Sequence, residues 1–292
     1  MCRMVVLRFN DAGRDFAADV FDALVQASKD DPYLKQITGD DGRHCHGCGF
    51  TAALKTSFGW KVTHERFDAE PMLAGEQACK ANLEALSEMV EGLKKLTANA
   101  KEASVIIHSR RTRNEPRGVH GAHPFKEETL LKAGGQYARA EIYLAHNGGV
   151  EKHEIASELN IPSPELYTDS HLYLRYLASK VSLCGVDELP DKLAKAIAES
   201  KPLSKSALDL GIMVFPQVSE PLLFAAGYVA RKDDVVRWRY YEPVLIEADG
   251  LVGYVSSTVR DVLIRRRADA GFRSFDNSLV MLKLPKPSMH AI

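Results

Sequence analysis

Residues 2–9 (CRMVVLRF) form a short apolar run rich in β-branched and long aliphatic side chains, which predicts a strand. A turn signal follows at residues 10–13. Phe16, Val20, Phe21, Leu24 and Val25 then recur at helical spacing through about Ser28, the pattern of one amphipathic helix. A polar loop rich in Gly, Asp and His runs through GDDGRHCHGCG into a predicted strand at residues 50–54. Loops of this kind tend to border functional sites. Over residues 70–97, Leu73, Ala78, Leu83, Leu86, Met89, Val90 and Leu93 draw a long apolar stripe with charges opposite, predicting one or two helices.

Two short apolar strands come next, SVII at residues 104–107 and EIYLA at 141–145. Each ends in a polar cluster, the first in His108-Ser109-Arg110-Arg111 and the second in His146-Asn147-Gly148-Gly149. A side chain at the end of a buried strand is rigidly placed. Helices are predicted over residues 150–159, 172–181 and 187–200, the middle one started by Thr168 or Asp169 as cap. From Leu208 the pattern turns to strands, at residues 211–215, 222–230, 235–241, 244–247, 251–256 and 279–284. Trp238, Tyr240 and Tyr241 read as core and edge residues of one of them. No internal repeat or low-complexity linker interrupts the chain. It reads as a single α+β domain over residues 2–285 with a C-terminal tail at 286–292.

Composition narrows the class of function. The 292 residues are 45% hydrophobic and 26% charged, an ordinary globular balance. With 38 basic and 39 acidic side chains the formal charge is -1, so no overall field draws the chain to nucleic acid or an anionic membrane. No apolar run is long enough for a membrane span and the N-terminus has no signal-peptide pattern, which predicts a cytoplasmic protein. Five cysteines, Cys2, Cys45, Cys48, Cys79 and Cys184, are odd in number and sparse, so reduced thiols are expected.

The candidate chemistry starts at Cys2. Removing Met1 would leave a thiol, ordinarily near pKa ~8.5, and a free α-amino group near ~8 on the same residue, so that the amine can act as base for its own thiol. Each other candidate has a plain structural reading as well. Asn147-Gly148 alone is a turn dipeptide, and Asp169 is a helix cap before it is a ligand. The spacing of Cys45 and Cys48, flanked by His44 and His46, admits a metal reading, but no second CxxC or paired-histidine motif supports it. The basic run Arg260, Arg265, Arg266, Arg267 and Arg273 reads as a solvated helix face rather than a phosphate or partner site.

Taken together, six segments resemble the class II glutamine amidotransferases, the N-terminal-nucleophile (Ntn) branch that takes ammonia from glutamine. They are MCRM at the start, HGCGFTAAL at 46–54, VIIHSRRTRNEPRG at 105–118, GAHPF at 121–125, LAHNGGV at 144–150 and TDSHL at 168–172. The chain looks most like the stand-alone, amidotransferase-like members, since no fused synthase or sugar-isomerase domain is evident. That resemblance implies a four-layer αββα Ntn-hydrolase sandwich, two antiparallel sheets between helical layers. It implies that Cys2 attacks the glutamine side-chain amide to give a γ-glutamyl thioester, with Asn147 and Gly148 as oxyanion hole. Arg110 would hold the substrate α-carboxylate and Asp169 its α-ammonium, while His46, His108, His123 and His146 line or scaffold the site, the last three with imidazoles bonded to backbone at strand ends. Ser256 and Ser257 are weaker candidates for lining. Glutamine is then the small-molecule substrate, a separate ammonia-accepting enzyme the possible partner, and no cofactor, metal, nucleic acid or membrane is called for. Two positions depart from the family pattern: an acidic residue becomes Cys48, and Arg111-Thr112-Arg113-Asn114 follows Arg110. The rival readings are an amidohydrolase of another γ-glutamyl amide and a non-catalytic regulatory subunit with the same fold.

Overall fold

The computed structural model describes every residue from 1 to 292 except Arg113, Asn114, Val218, Ala268 and Asp269. Arg113 and Asn114, part of the departure after Arg110, therefore lie outside the described residues. The chain runs β1 (Cys2–Asn10), α1 (Arg14–Lys29), α2 (Pro32–Thr38), β2 (Cys48–Thr56), β3 (Gly59–Phe67), α3 (Gly75–Thr97) and β4 (Glu102–Arg110). It continues through β5 (Phe125–Ala133), β6 (Gln136–Val150), α4 (Lys152–Glu158), α5 (Asp169–Val181), α6 (Leu189–Ser200) and β7 (Ser204–Pro216). Then follow β8 (Leu222–Gly227), α7 (Val235–Tyr241), β9 (Pro243–Ala248), β10 (Leu251–Ser256), α8 (Ser257–Ile264), β11 (Gly271–Ser274), β12 (Ser278–Met281) and β13 (Ser288–Ala291).

β1 buries both faces, and the two faces meet different layers. Val5, Leu7 and Phe9 pack with residues of α1, α3 and α8, whereas Met4 and Val6 join an apolar cluster with Tyr143, Ala145, Met213 and Ala225 of a second sheet. Side chains on a strand alternate between faces, so an unbroken apolar run is what a doubly covered strand requires. The first sheet has the order β11-β9-β10-β1-β4-β2-β3 and the second β13-β12-β8-β7-β6-β5. Their named strands pair antiparallel throughout. The outer face of the second sheet is covered by α4, α5 and α6, through Ile155, Leu172, Leu177, Leu193 and Ile197. The result is a mixed α+β arrangement of helices, sheet, sheet and helices. At the seam between the sheets a side chain on Gly211 would place its Cβ 2.5 Å from Val6 Cγ2, so the close approach there requires glycine.

Several expectations need correction. Residues 235–241 are helical, not a strand: Asp234 caps α7 by accepting from Arg237 N, and Tyr240 and Tyr241 are buried at its end with their rings edge to face. β3, β5, β11 and β13 lie where no strand was expected, and β13 pairs the C-terminal residues onto β12. The long stripe forms one helix, α3, and β4 and β6 extend through the polar clusters expected beyond their ends. The thiols are not all reduced either. Cys45 and Cys79, 34 residues apart, are brought to a Cα–Cα distance of 4.8 Å and form a disulfide, leaving Cys2, Cys48 and Cys184 free. Among the described residues no helix is long and apolar enough to cross a membrane.

Candidate functional site

The site lies at one end of the layer between the sheets, where β1 and β4 of one sheet face β6 and β7 of the other. Cys2 is opposite Arg110 in the β1–β4 register, and its side chain is 4% exposed. The second sheet and α7 both grip its backbone. Cys2 N donates to Asn147 Oδ1 at 2.7 Å, and the Tyr240 hydroxyl donates to the Cys2 carbonyl at 3.1 Å. Met1 also lines the cavity, its ammonium group donating to the Arg111 carbonyl at 3.1 Å. Burial resists ionisation of the Cys2 thiol, but the N-terminal ammonium and the His108 imidazole outweigh it and bring its pKa down to about 6.

The cavity beside Cys2 has a volume of about 210 Å³. Arg110 enters it from the end of β4 and Asp169 from the first turn of α5, so the two opposite charges share one small space. Arg110 is 3% exposed and donates through Nη1 to the Pro116 carbonyl at 2.8 Å. Gly121 makes room for it, since a Cβ there would lie 2.3 Å from Arg110 Nη1. No carboxylate among the described residues forms an ion pair with Arg110, and no cation forms one with Asp169. Thr168 caps α5 by accepting from His171 N, which leaves Asp169 beyond the cap to receive N–H bonds from Val150 at 3.1 Å and Ser170 at 2.7 Å. A larger open groove of about 570 Å³ beside β5 and α5 has no cysteine or histidine among its described lining residues.

Asn147 and Gly148 sit where β6 slips register against β7, between Gly148 and Val150. Gly148 lines the cavity, and a side chain there would collide with the Ala207 carbonyl, 1.9 Å from an added Cβ. Asn147 is fully buried: its Oδ1 takes the Cys2 N–H and its Nδ2 donates to Asp209 Oδ2 at 3.2 Å. In this arrangement the amide donor faces Asp209.

The four histidines divide. His146 Nε2 donates to the Ala207 carbonyl at 3.2 Å, and Nδ1 lies 3.0 Å from Ser170 Oγ. His46 Nδ1 lies 2.8 Å from the Thr112 carbonyl, while Arg111 donates to its Nε2 at 3.3 Å; burial and the nearby Arg117 and Arg111 bring its pKa down to about 4. The His108 and His123 rings meet tilted at 33°, 4.2 Å between centroids, and none of their four nitrogens bonds to another oxygen or nitrogen among the described residues. For those two the expected backbone anchoring is absent.

Behind Cys2 runs a buried network that the residue pattern did not signal as functional. Arg3, fully buried, donates to Asp31 Oδ2 at 2.5 Å and to the Tyr240 carbonyl at 2.9 Å. Asp31 also meets His44 Nε2 at 2.8 Å and Thr258 Oγ1 at 2.9 Å. Ser257 Oγ donates to the Tyr240 carbonyl and ties α8 to α7, Ser256 Oγ donates to the Met4 carbonyl and ties β10 to β1, and neither lines the cavity. The signal for this network was a charge at Arg3 inside a mostly apolar strand, and Asp209 inside ALDLGIMVF is another of the same kind. Cys45 is consumed by the disulfide and Cys48 packs against Asn82 and Met89. Among the described residues no group of three His, Cys, Asp or Glu side chains could hold a metal ion. The basic run is engaged within the chain, for example Arg260 with Glu242 and Arg267 with Asp19.

No family model matches this chain, and no curated protein matches it. Among solved structures it is similar to a predicted glutamine amidotransferase from Pseudomonas aeruginosa, at 15% identity over 98% of this chain and 95% of that one, with a TM-score of 0.37. A likeness that loose carries no weight for the chemistry, which stands on the side chains above.

Proposed function

We propose that the protein is a class II glutamine amidotransferase or glutaminase of Ntn-hydrolase fold, active once Met1 has been removed. The observation that carries this reading is the pairing in one cavity of Arg110 and Asp169, each without an ionic partner among the described residues, beside Cys2. A free α-amino acid carries a carboxylate and an ammonium group on one carbon. A guanidinium and a carboxylate facing the same space are the complementary pair, and the guanidinium can hold the carboxylate in bidentate fashion.

With the zwitterionic end held there, the side-chain amide reaches Cys2. The α-amino group of Cys2 takes the thiol proton, and the sulfur forms a bond to the δ-carbon, whose carbonyl π pair moves onto oxygen. The Gly148 N–H and the second N–H of the Asn147 amide, the one not given to Asp209, are the donors for that oxyanion. Collapse breaks the C–N bond, the amine returns the proton to the leaving nitrogen, and ammonia departs. Water then hydrolyses the γ-glutamyl thioester to glutamate, and the ammonia passes to solvent or to a separate acceptor enzyme.

The test is glutamate release from glutamine by protein whose intact mass shows Cys2 at the N-terminus. Cys2→Ala should lower the rate by at least about a thousandfold while the chain stays folded. Active protein that retains Met1 would overturn the α-amine mechanism. Preferential turnover of a γ-glutamyl alkylamide over glutamine would move the substrate to that class of amide.

A further inference from the structure

Asp209 is fully buried and stands directly opposite Asn147 in the β6–β7 register. Two other buried carboxylates are well satisfied: Asp31 by Arg3, His44 and Thr258, and Asp68 by Asn82 and the Gly118 N–H. Asp209 accepts from Asn147 Nδ2 alone, its Oδ1 has no hydrogen-bond partner, and no cation among the described residues pairs with it. A bare buried carboxylate is strongly disfavoured, so its retention here calls for a reason.

The reason follows from the shape of an amide. The oxygen and nitrogen ends of an asparagine side chain are nearly isosteric, and its orientation is decided by what each end meets. Asp209 Oδ2 accepts from the NH2 end, and it keeps that role in the neutral acid when the proton sits on Oδ1, the oxygen without a partner among the described residues. The oxygen end is thereby aimed at Cys2 N, 2.7 Å away. Turned over, Asn147 would bring its NH2 against the Cys2 N–H, two donors face to face.

We infer that Asp209 is a positioning residue that acts through Asn147 to hold the α-nitrogen of Cys2 by its N–H, with the nitrogen lone pair left for the neighbouring thiol. The inference rests on the N-terminal-nucleophile reading and adds to it a residue from the far side of the second sheet's seam. The electrostatics agree with the geometry. Burial pushes the Asp209 carboxyl well above the usual carboxylate range, against the pull of Arg3 and of the Asn147 bond. A neutral acid can orient the amide without holding the α-amine in its charged, non-basic form. The other ionisable groups facing it are Arg3 from β1, Tyr241 from α7, Tyr254 from β10, Asp276 and the N-terminal amine.

The experiment compares Asp209→Asn, which is neutral and keeps an acceptor oxygen, with Asp209→Leu, which is similar in size and has none, in full-length chain processed to Cys2. Two readouts are needed: kcat and KM for glutamine, and the pH dependence of Cys2 alkylation by iodoacetamide, followed by peptide mass. Asp209→Leu should lower kcat about tenfold or more with KM within about threefold, and Asp209→Asn should restore kcat to within about threefold of the parent. The alkylation midpoint should move by about half a pH unit or more in Asp209→Leu and return in Asp209→Asn. Parent-like behaviour of Asp209→Leu, or equal impairment of both variants, overturns the inference. Asp209→Ala is a second acceptor-free variant, and failure of both it and Asp209→Leu to fold overturns it in favour of a purely structural role. If the parent releases no glutamate from glutamine, the amidotransferase reading fails, whereas the alkylation profiles still decide the role of Asp209.

Discussion

Cys2 and Cys48 are both buried, yet their thiols are driven in opposite directions. Burial opposes ionisation of each. At Cys2 the N-terminal ammonium and His108 overcome it, to about 6, whereas at Cys48 the nearby Asp68 and Glu65 add to it and the pKa rises to about 12. In the folded chain with Met1 in place, iodoacetamide at pH 7 should therefore modify Cys2 and spare Cys48, with the Cys2 rate reaching half its plateau near pH 6 in a mass-mapped time course. Equal labelling of the two would sink this account of the site's field. Position in the chain made Cys2 legible, and the motifs around Arg110, Asn147 and Asp169 made a site readable from sequence. Asp209 was not legible, because its meaning depends on Asn147, 62 residues away and on the neighbouring strand. A charge in an apolar run shows only that something must compensate it.

Elements were readable where one face is apolar and the other wet. α1, α3, α5 and α6 show such stripes, whereas β10, buried along its whole length, is legible to its ends from its apolar run after the Asp249-Gly250 turn. β3 was missed because its residues, GWKVTHERF, are polar and half-buried along the sheet edge. α7 was misread because VVRWRYY has strand-forming residues, and Asp234 together with the packing of Tyr240 against Arg3 overrides their preference. The spacing of the two sheets was not readable at all, since it depends on which residues meet across the seam. Gly211 against Val6 is the point where that spacing can be tested. Gly211→Ala should destabilise the fold by about 1–3 kcal/mol in urea unfolding. Combined with Val6→Ala, it should cost less than the two single losses added together, because the pair shares one contact. Simple additivity would mean that the seam is not close-packed there.

For the molecule as a whole, buried histidines set the acid limit. Burial first, then nearby positive charge, brings His46 and His64 down to about 4; at His44 burial prevails over the opposing pull of Asp31, again to about 4, and His123 falls well below its ordinary value. In the unfolded chain each titrates near ~6.5. The fold thus favours their neutral forms, and the stability they contribute is complete above about pH 6.5 and is lost as the pH falls towards 4. The urea midpoint should decline steadily between pH 7 and pH 4.5, at about 3 kcal/mol in all for a group such as His44. A flat profile over that range would contradict the burial of these rings. The place of β1 has a further consequence for the order of events during synthesis. β1 is held between β4 and β10, so its second hydrogen-bonded edge is completed only after residues 251–256 have been made. Until then the Met1–Cys2 bond is open to a peptidase. Afterwards Cys2 is enclosed, so the competition between trimming and strand pairing, more than the amount of protein made, would set the fraction of chains that start at Cys2.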